Sequence, residues 1–360
     1  MKPTWQAKAT VHRAGGQAGD PAPYSGSESF TFVRLWLRDP DGVEGTGVTG
    51  RFLAHEVAHF LNRVLPDALE NPSLDPVAAL AKAHNPRGMG GVVVAALSAL
   101  EIALTDIKAK RVSLSVAALL GGKRRAAPVH VTCGFPEMDI PELVRACIRE
   151  VEAGAGGVKV LIAAPGFDVA QDVARLSAVR TAIGPTAQLI ADANCRMDTP
   201  TATYLTHKVQ HLDLAWLEEP IIGNNSSALA DLARTSVPLG AGQMEQSAER
   251  FAALSQAGVE VIQPNAVFAG GFQAAIDVAQ TAAQTGAHIA PAGGWDMINV
   301  HWVCGAFETG SVELHRAQAR IMRLLMPGGL ILKDGHLHVA DTPGLGLYPD
   351  EPALADCREA

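Results

Sequence analysis

The chain of 360 residues has no C-x-x-C, and its five cysteines (Cys133, Cys147, Cys195, Cys304, Cys357) are scattered and odd in number. That pattern argues against a disulfide framework or a structural zinc site and fits a reducing compartment. No basic run is present and the net charge is −8, so a nucleic-acid partner is not expected. The N-terminus lacks a basic-then-apolar signal pattern. The longest apolar stretch, Val92 to Leu104, is interrupted by Ser98 and Glu101 and is too short to span a bilayer. These absences predict a cytoplasmic protein with no membrane partner. What is present is core material: 48% of residues are hydrophobic and 18% charged. The length suggests two domains, or one large barrel with an addition.

The first third differs from the rest. Ser29–Arg38 alternates with period two and reads as a strand. Gly42–Gly50 reads as a turn and a second strand, and Gly15–Ser27 as a mobile Gly/Pro/Ser loop containing Tyr24. Leu53 to Leu120 is helical in pattern, and Val93–Lys108, apolar on more than one face, reads as a buried helix. From Pro128 a repeat begins. Apolar runs occur at Val129–Cys133, Gly157–Ile162, Gln188–Ala191, Leu214–Leu217, Pro238–Ala241, Val259–Ile262, His288–Ala290 and Ser311–Leu314. Helical patterns separate most of them, as in Asp168–Ile183. Eight β-α units predict a closed parallel barrel. An open doubly wound sheet would carry a Gly-rich phosphate turn after its first strand, and Cys133-Gly-Phe-Pro136 is not one.

In such a barrel the polar residues at the C-terminal strand ends form one mouth. Three motifs stand there: Asp192-Ala-Asn194, Glu218-Glu219-Pro220 and Gly242-Gln243, spaced by 26 and 25 residues. Two carboxylates and an amide oxygen would converge on one point, a donor set suited to a hard divalent cation such as Mg²⁺. The plain alternative is a set of strand-end acids held by salt bridges. Cys133 and Cys195 also lie near the mouth, but neither has an identifiable histidine partner for nucleophilic chemistry.

Several segments, taken in order, resemble the enolase superfamily and within it the mandelate racemase/muconate lactonizing enzyme group. They are Ala95–Gly122, Val158-Lys159, Ile190–Asn194, Trp216–Pro220, Val237–Gln243, Ile262–Gly271 and Pro343–Leu347. The resemblance covers nearly the whole chain. It implies an α/β fold, a (β/α)7-8 TIM-type barrel with an N-terminal α+β capping domain. The expected boundaries are 1–125 for the cap, 126–325 for the barrel and 326–360 for a return to the cap. It implies Mg²⁺ held by Asp192, Glu218 and Gln243, a small-molecule carboxylate substrate, an enediolate intermediate, and a homo-oligomer. Glu245, two residues beyond Gln243, is the alternative third ligand if the strand persists. Glu313 matches the family's acidic residue on strand eight.

The general bases of that family are missing. Its Lys-x-Lys reads Lys159-Val-Leu161 here, and its Asp–His dyad reads Asn265 and Ala292. Lys159 is then a carboxylate-binding charge or a recruited base, and Glu245, Asp296, His301, Tyr24 and His12 are further candidates for base. Asp296 and His301 are most simply surface residues; His12 and Tyr24 are assigned to a cap loop over the site. Substrate selection is expected from Gly15–Ser27, from the region of His55 and His59, and from the ends of strands seven and eight. The expected reaction is dehydration of a small hydroxy or sugar acid, which needs only one base. The alternatives are a racemase or isomerase of a carboxylate, or a protein of this shape that binds a ligand without enolising it.

Overall fold

A computed structural model describes residues 4–14, 29–70, 77, 78, 80 and 90–359. The Gly15–Ser27 loop and Tyr24 lie outside the described residues. Three strands, β1 (Gln6–Ala14), β2 (Phe30–Arg38) and β3 (Glu44–Gly50), form an antiparallel sheet in that order. β2 and β3 carry the two expected strands. β1 escapes the apolar pattern because its sequence, QAKATVHRA, is largely polar, yet it pairs with β2 along its whole length.

Helices α1 (Ala54–Glu70) and α2 (Val92–Arg111) cover this sheet. α2 is buried on several faces, as its composition predicts. It lies directly on β3, because Gly45 and Gly47 have no side chain to hold it off. A Cβ at Gly47 would fall 1.8 Å from the Ala99 carbonyl oxygen, and one at Gly45 2.4 Å from that of Ala103. Asp106 of α2, fully buried, accepts the Thr46 amide at 3.0 Å, the Leu345 amide at 2.9 Å and the Lys110 ammonium at 2.8 Å. One carboxylate thus ties the cap sheet to the C-terminal segment. That segment continues along β1, where Arg13 N donates to Cys357 O and Glu359 N to Val11 O.

Eight parallel strands follow: β4 (Ala126–Gly134), β5 (Gly157–Leu161), β6 (Gln188–Asp192), β7 (Trp216–Glu218), β8 (Leu239–Ala241), β9 (Val261–Ile262), β10 (His288–Ile289) and β11 (Val312–His315). Each overlaps one of the eight apolar runs. Neighbours in sequence pair from β4 through β10, and β11 pairs back onto β4. Between β10 and β11 the contact narrows to one backbone bond, Ser311 N to Ile289 O at 2.9 Å. A hairpin, β12 (Ile331–Lys333) and β13 (His336–His338), adds antiparallel to the start of β4. Most of the returning helices begin at side-chain caps. Asp168, for example, accepts from Gln171 N while Gln171 returns to Asp168 N, which fixes where the chain turns from β5 into its helix.

Inside the barrel Ile190, Trp216, Val261 and Ala290 form an apolar plug, with His130 edge-on to Trp216 at 5.1 Å. Polar side chains inside the barrel therefore collect toward the other end, at the strand C-termini. No described helix is long and apolar enough to cross a membrane.

The close approach of α2 to β3 predicts that Gly47→Ala lowers the unfolding free energy by about 2–4 kcal/mol, because the backbone itself must move. Gly328→Ala, where a Cβ meets nothing within 4 Å, should change it by less than about 0.5 kcal/mol. Urea melts of the two variants check this.

Candidate active site

The strand C-termini and the cap enclose a cavity of about 1020 Å³. Its barrel wall includes Lys159, Leu161, Asp192, Gln243, Glu313 and His315, and the cap contributes Phe30, Arg51 and Phe52. At its floor lies Lys159, 1% exposed, whose Nζ is 2.5 Å from Glu218 Oε1, 2.8 Å from Glu313 Oε1 and 3.3 Å from Asp192 Oδ2. These four residues come from β5, β7, β11 and β6, which the sheet order β11, β4, β5, β6, β7 brings close together. The register explains the match: Asp192 lies opposite Glu218 on β7, and Thr132 opposite Lys159 on β5.

Each carboxylate is further oriented. Glu218 Oε2 accepts from Trp216 Nε1 at 3.0 Å and Gln263 Nε2 at 2.8 Å. Glu313 accepts the Thr132 hydroxyl on one oxygen and the Gly294 amide, at 2.7 Å, on the other. Asp192 Oδ1 accepts the Asn194 amide at 2.9 Å. Glu219 accepts from Asn224 Nδ2 at 3.1 Å and Gly242 N at 3.3 Å, and pairs with no lysine.

The charges interact strongly. Burial alone would push the Lys159 ammonium toward neutrality, but Glu218, Glu313 and Asp192 outweigh it and hold its pKa well above that of an ordinary lysine. Burial would likewise raise Glu313, yet Lys159, with His315 and His130, holds it well below the carboxylate range. Asp192 goes the other way: burial and the adjacent Glu218 push its carboxyl well above the usual range, against the pull of Lys159. Four buried carboxyls (Asp192, Glu218, Glu219, Glu313) thus face one buried ammonium.

That excess of negative charge, presented by hard oxygen donors, fits a divalent cation. No three Asp, Glu, His or Cys side chains among the described residues are arranged to hold a metal. Asp192 and Gln243 line the cavity, and Glu218, fully buried, lies beside Asp192 across the pairing of β6 and β7. Glu245 also lines the cavity, but beyond the end of the strand. β8 ends at Ala241, Gly242 turns with φ +117°, and the Glu245 carboxylate is clamped by Arg250 Nε and Nη2, both at 2.9 Å.

The structure moves other candidates. His12 is not in a cap loop: it lies in β1, buried, bonded to Thr10 Oγ1 and the Leu354 carbonyl. His301 is not on the surface: it is fully buried between the Ala117 amide and the Leu345 carbonyl. Asp296 is also buried, opening the helix Asp296–Ala306, with neither oxygen partnered and its carboxyl raised by burial to about 7. None of the three lines the cavity. His55 and His59 sit on exposed positions of α1 away from the cavity, and Arg51 and Phe52, just before α1, line it instead. Asn265 donates to the carbonyls of Ala292 (2.7 Å) and Gly294 (3.2 Å), so the two positions that lack a base are stitched together as structure. Cys133 is buried 3.8 Å from Cys147, and burial pushes the Cys195 thiol up to about 12, so neither is a nucleophile. The residue that sequence reading passed over is His315. The apolar run breaks off at Leu314, but the alternation that turns Glu313 inward also turns residue 315 inward.

A family model described as enolase C-terminal domain-like matches residues 142–353, and one described as the mandelate racemase/muconate lactonizing enzyme N-terminal domain matches residues 24–121. An L-talarate/galactarate dehydratase of Salmonella typhimurium is 30% identical over 269 residues, 74% of this chain and 66% of its own. The match thus spans just under two thirds of that relative's length. A D-galactarolactone cycloisomerase of Agrobacterium fabrum is 27% identical over 296 residues, 78% of each chain. The solved structure of the Salmonella typhimurium L-talarate/galactarate dehydratase with Mg and L-lyxarohydroxamate superposes with a TM-score of 0.88 at 25% identity, covering 99% of this chain and 93% of that one.

Lys159→Met should cost about 3–5 kcal/mol of stability at neutral pH, the usual price of leaving buried charges unpaired. Without the ammonium the carboxyl pKa values rise in the folded state. Folding then gains as pH falls below those values, so the deficit should shrink between about pH 7 and pH 4. Thermal melts across that range check both parts.

Proposed function

The chain belongs to the mandelate racemase/muconate lactonizing enzyme family of the enolase superfamily, and from that premise we propose that it is a Mg²⁺-dependent dehydratase of a small hydroxy or sugar acid. The observation that carries the reading is the buried Lys159 ammonium, ringed by carboxylates at the floor of a cavity of substrate size. In this reading Asp192, Glu218 and Gln243 hold the ion. When bound, it withdraws electron density from the substrate carboxylate and lowers the energy of the dianion formed as the α-proton leaves.

The chain's own residues do the rest. Lys159 is a fixed positive charge within a low-dielectric floor, so it stabilises negative charge on a substrate carboxylate without reorganising. Glu218, Glu313 and Asp192 keep it protonated. Glu313 also fixes the Gly294 amide and with it the turn around Ala292. Phe30, Phe52 and Phe135 wall the cavity with apolar surface and limit the water around the reacting carbon. Racemisation requires a proton carrier on each side of that carbon. The two places where relatives of this architecture keep them hold Leu161 on one side and Asn265 with Ala292 on the other. Elimination of water needs only one carrier, and this favours the dehydratase over the racemase. The likeness to a dehydratase that binds Mg supports the same choice.

The test is a library of hydroxy and sugar acids screened for loss of water. At least one acid should be dehydrated by the Mg²⁺-loaded protein, with turnover removed by a chelator and lowered at least about 10³-fold in Asp192→Ala. Acids bound but returned unchanged would instead indicate a binding protein of this shape.

A further inference from the structure

If the site eliminates water, one group must take the α-proton, and the cavity wall narrows the choice. Lys159 Nζ lies against Glu218, Glu313 and Asp192 and is assigned above to the substrate carboxylate. Asp192 is placed among the metal donors, Glu219 is bonded to Asn224 and Gly242, Glu245 is clamped by Arg250, and Glu313 is bonded to Lys159, Thr132 and the Gly294 amide. Glu137 stands exposed at the rim, where water competes for any proton. What is left among the described lining residues is one imidazole, His315, at the end of β11.

Its placement suits the task. Thr132 of β4 lies opposite His315 on one side and Lys159 on the other. The imidazole and the ammonium therefore stand two strand spacings apart, about 10 Å between Cα atoms, room for a small acid between them. The ring is packed between Phe30 (centroids 6.2 Å apart, edge-on) and Phe135 (6.0 Å). Nδ1 is buried without a partner, and the residue lines the cavity. The charges that face it are Glu313 and Glu218, which favour imidazolium, and Lys159 and Arg51, which oppose it. Burial dominates and pushes its pKa down to about 4, so the ring is neutral, with a free lone pair, at physiological pH.

We propose that His315 is the single proton carrier of the dehydration, which replaces the absent lysine and histidine bases of this site. The proposal rests on the dehydratase reading above. The α C–H bond breaks, its proton passes to an imidazole nitrogen, and its electron pair enters the enediolate. The enediolate then expels the β-hydroxyl, the C–O bond breaks with its electron pair, and the imidazolium returns the same proton, so that water leaves and neutral His315 is regenerated. No other reactant is consumed.

The experiment uses an acid found active in the screen, with the Mg²⁺-loaded full chain. His315→Gln and His315→Ala should lower kcat by about 10²–10⁴-fold, the usual contribution of a positioned acid–base group, with KM changed far less. Added imidazole should restore part of the His315→Ala rate. Variants within about tenfold of the wild type would overturn the assignment while leaving the dehydratase reading intact. A wild type that dehydrates no acid would overturn both. Should the variants not fold, diethyl pyrocarbonate applied to the wild type gives the same answer. Modification mapped to His315 should track loss of turnover and be slowed by the bound acid; turnover that survives modification there contradicts the proposal.

Discussion

One ammonium group surrounded by three carboxylates organises this protein. Lys159 is buried at the cavity floor, and its charge is stable there because Glu218, Glu313 and Asp192 converge on it from three other strands. The reverse also holds, since those acids would repel one another without it. The cluster therefore demands that β5, β6, β7 and β11 keep their register to within a residue. A slip of one position would turn each side chain to the opposite face of its strand. The compensation is incomplete, as the elevated Asp192 carboxyl shows. Stability and function meet at that point: the residual negative charge that strains the fold is the same charge that suits a cation.

The remaining architecture serves to hold and cover this cluster. Below it, the apolar plug around Trp216 keeps the barrel interior dry and fixes the indole that orients Glu218. Above it, the cap sheet brings Phe30, Arg51 and Phe52 over the mouth. The cap is secured by the buried Asp106, which bonds at once to β3 and to the segment around Leu345. The cavity is thus built jointly by two parts of the chain that are far apart in sequence, and the C-terminal segment along β1 closes the arrangement.

Much of this was readable in the chain. The apolar runs marked every barrel strand, because a parallel strand buried on both faces leaves a short continuous apolar signature. Polar residues directly after those runs marked the mouth. Local reading failed where the decisive partner is distant. Nothing near Lys159 in sequence announces three acids between 33 and 154 residues away, and nothing near Asp296, His12 or His301 announces that the tail or a neighbouring helix buries them. Glu245 could continue the strand pattern only if β8 persisted, and the positive φ of Gly242 ends that strand. His315 was missed for the opposite reason: a polar residue after Leu314 was read as the end of a strand that in fact includes it. β1 shows a third limit, since a largely polar strand becomes visible only through its pairing with β2.

The central claim is that an undercompensated carboxylate cluster at the barrel mouth makes a divalent-cation site. Calorimetric titration of the chelated protein with Mg²⁺, beside the same titration of Glu218→Gln, tests it most directly. The account predicts saturable binding in the micromolar-to-millimolar range that is lost or greatly weakened in the variant. Absence of binding at millimolar Mg²⁺, or equal binding by the variant, would contradict it and leave Lys159 as the cluster's only cation.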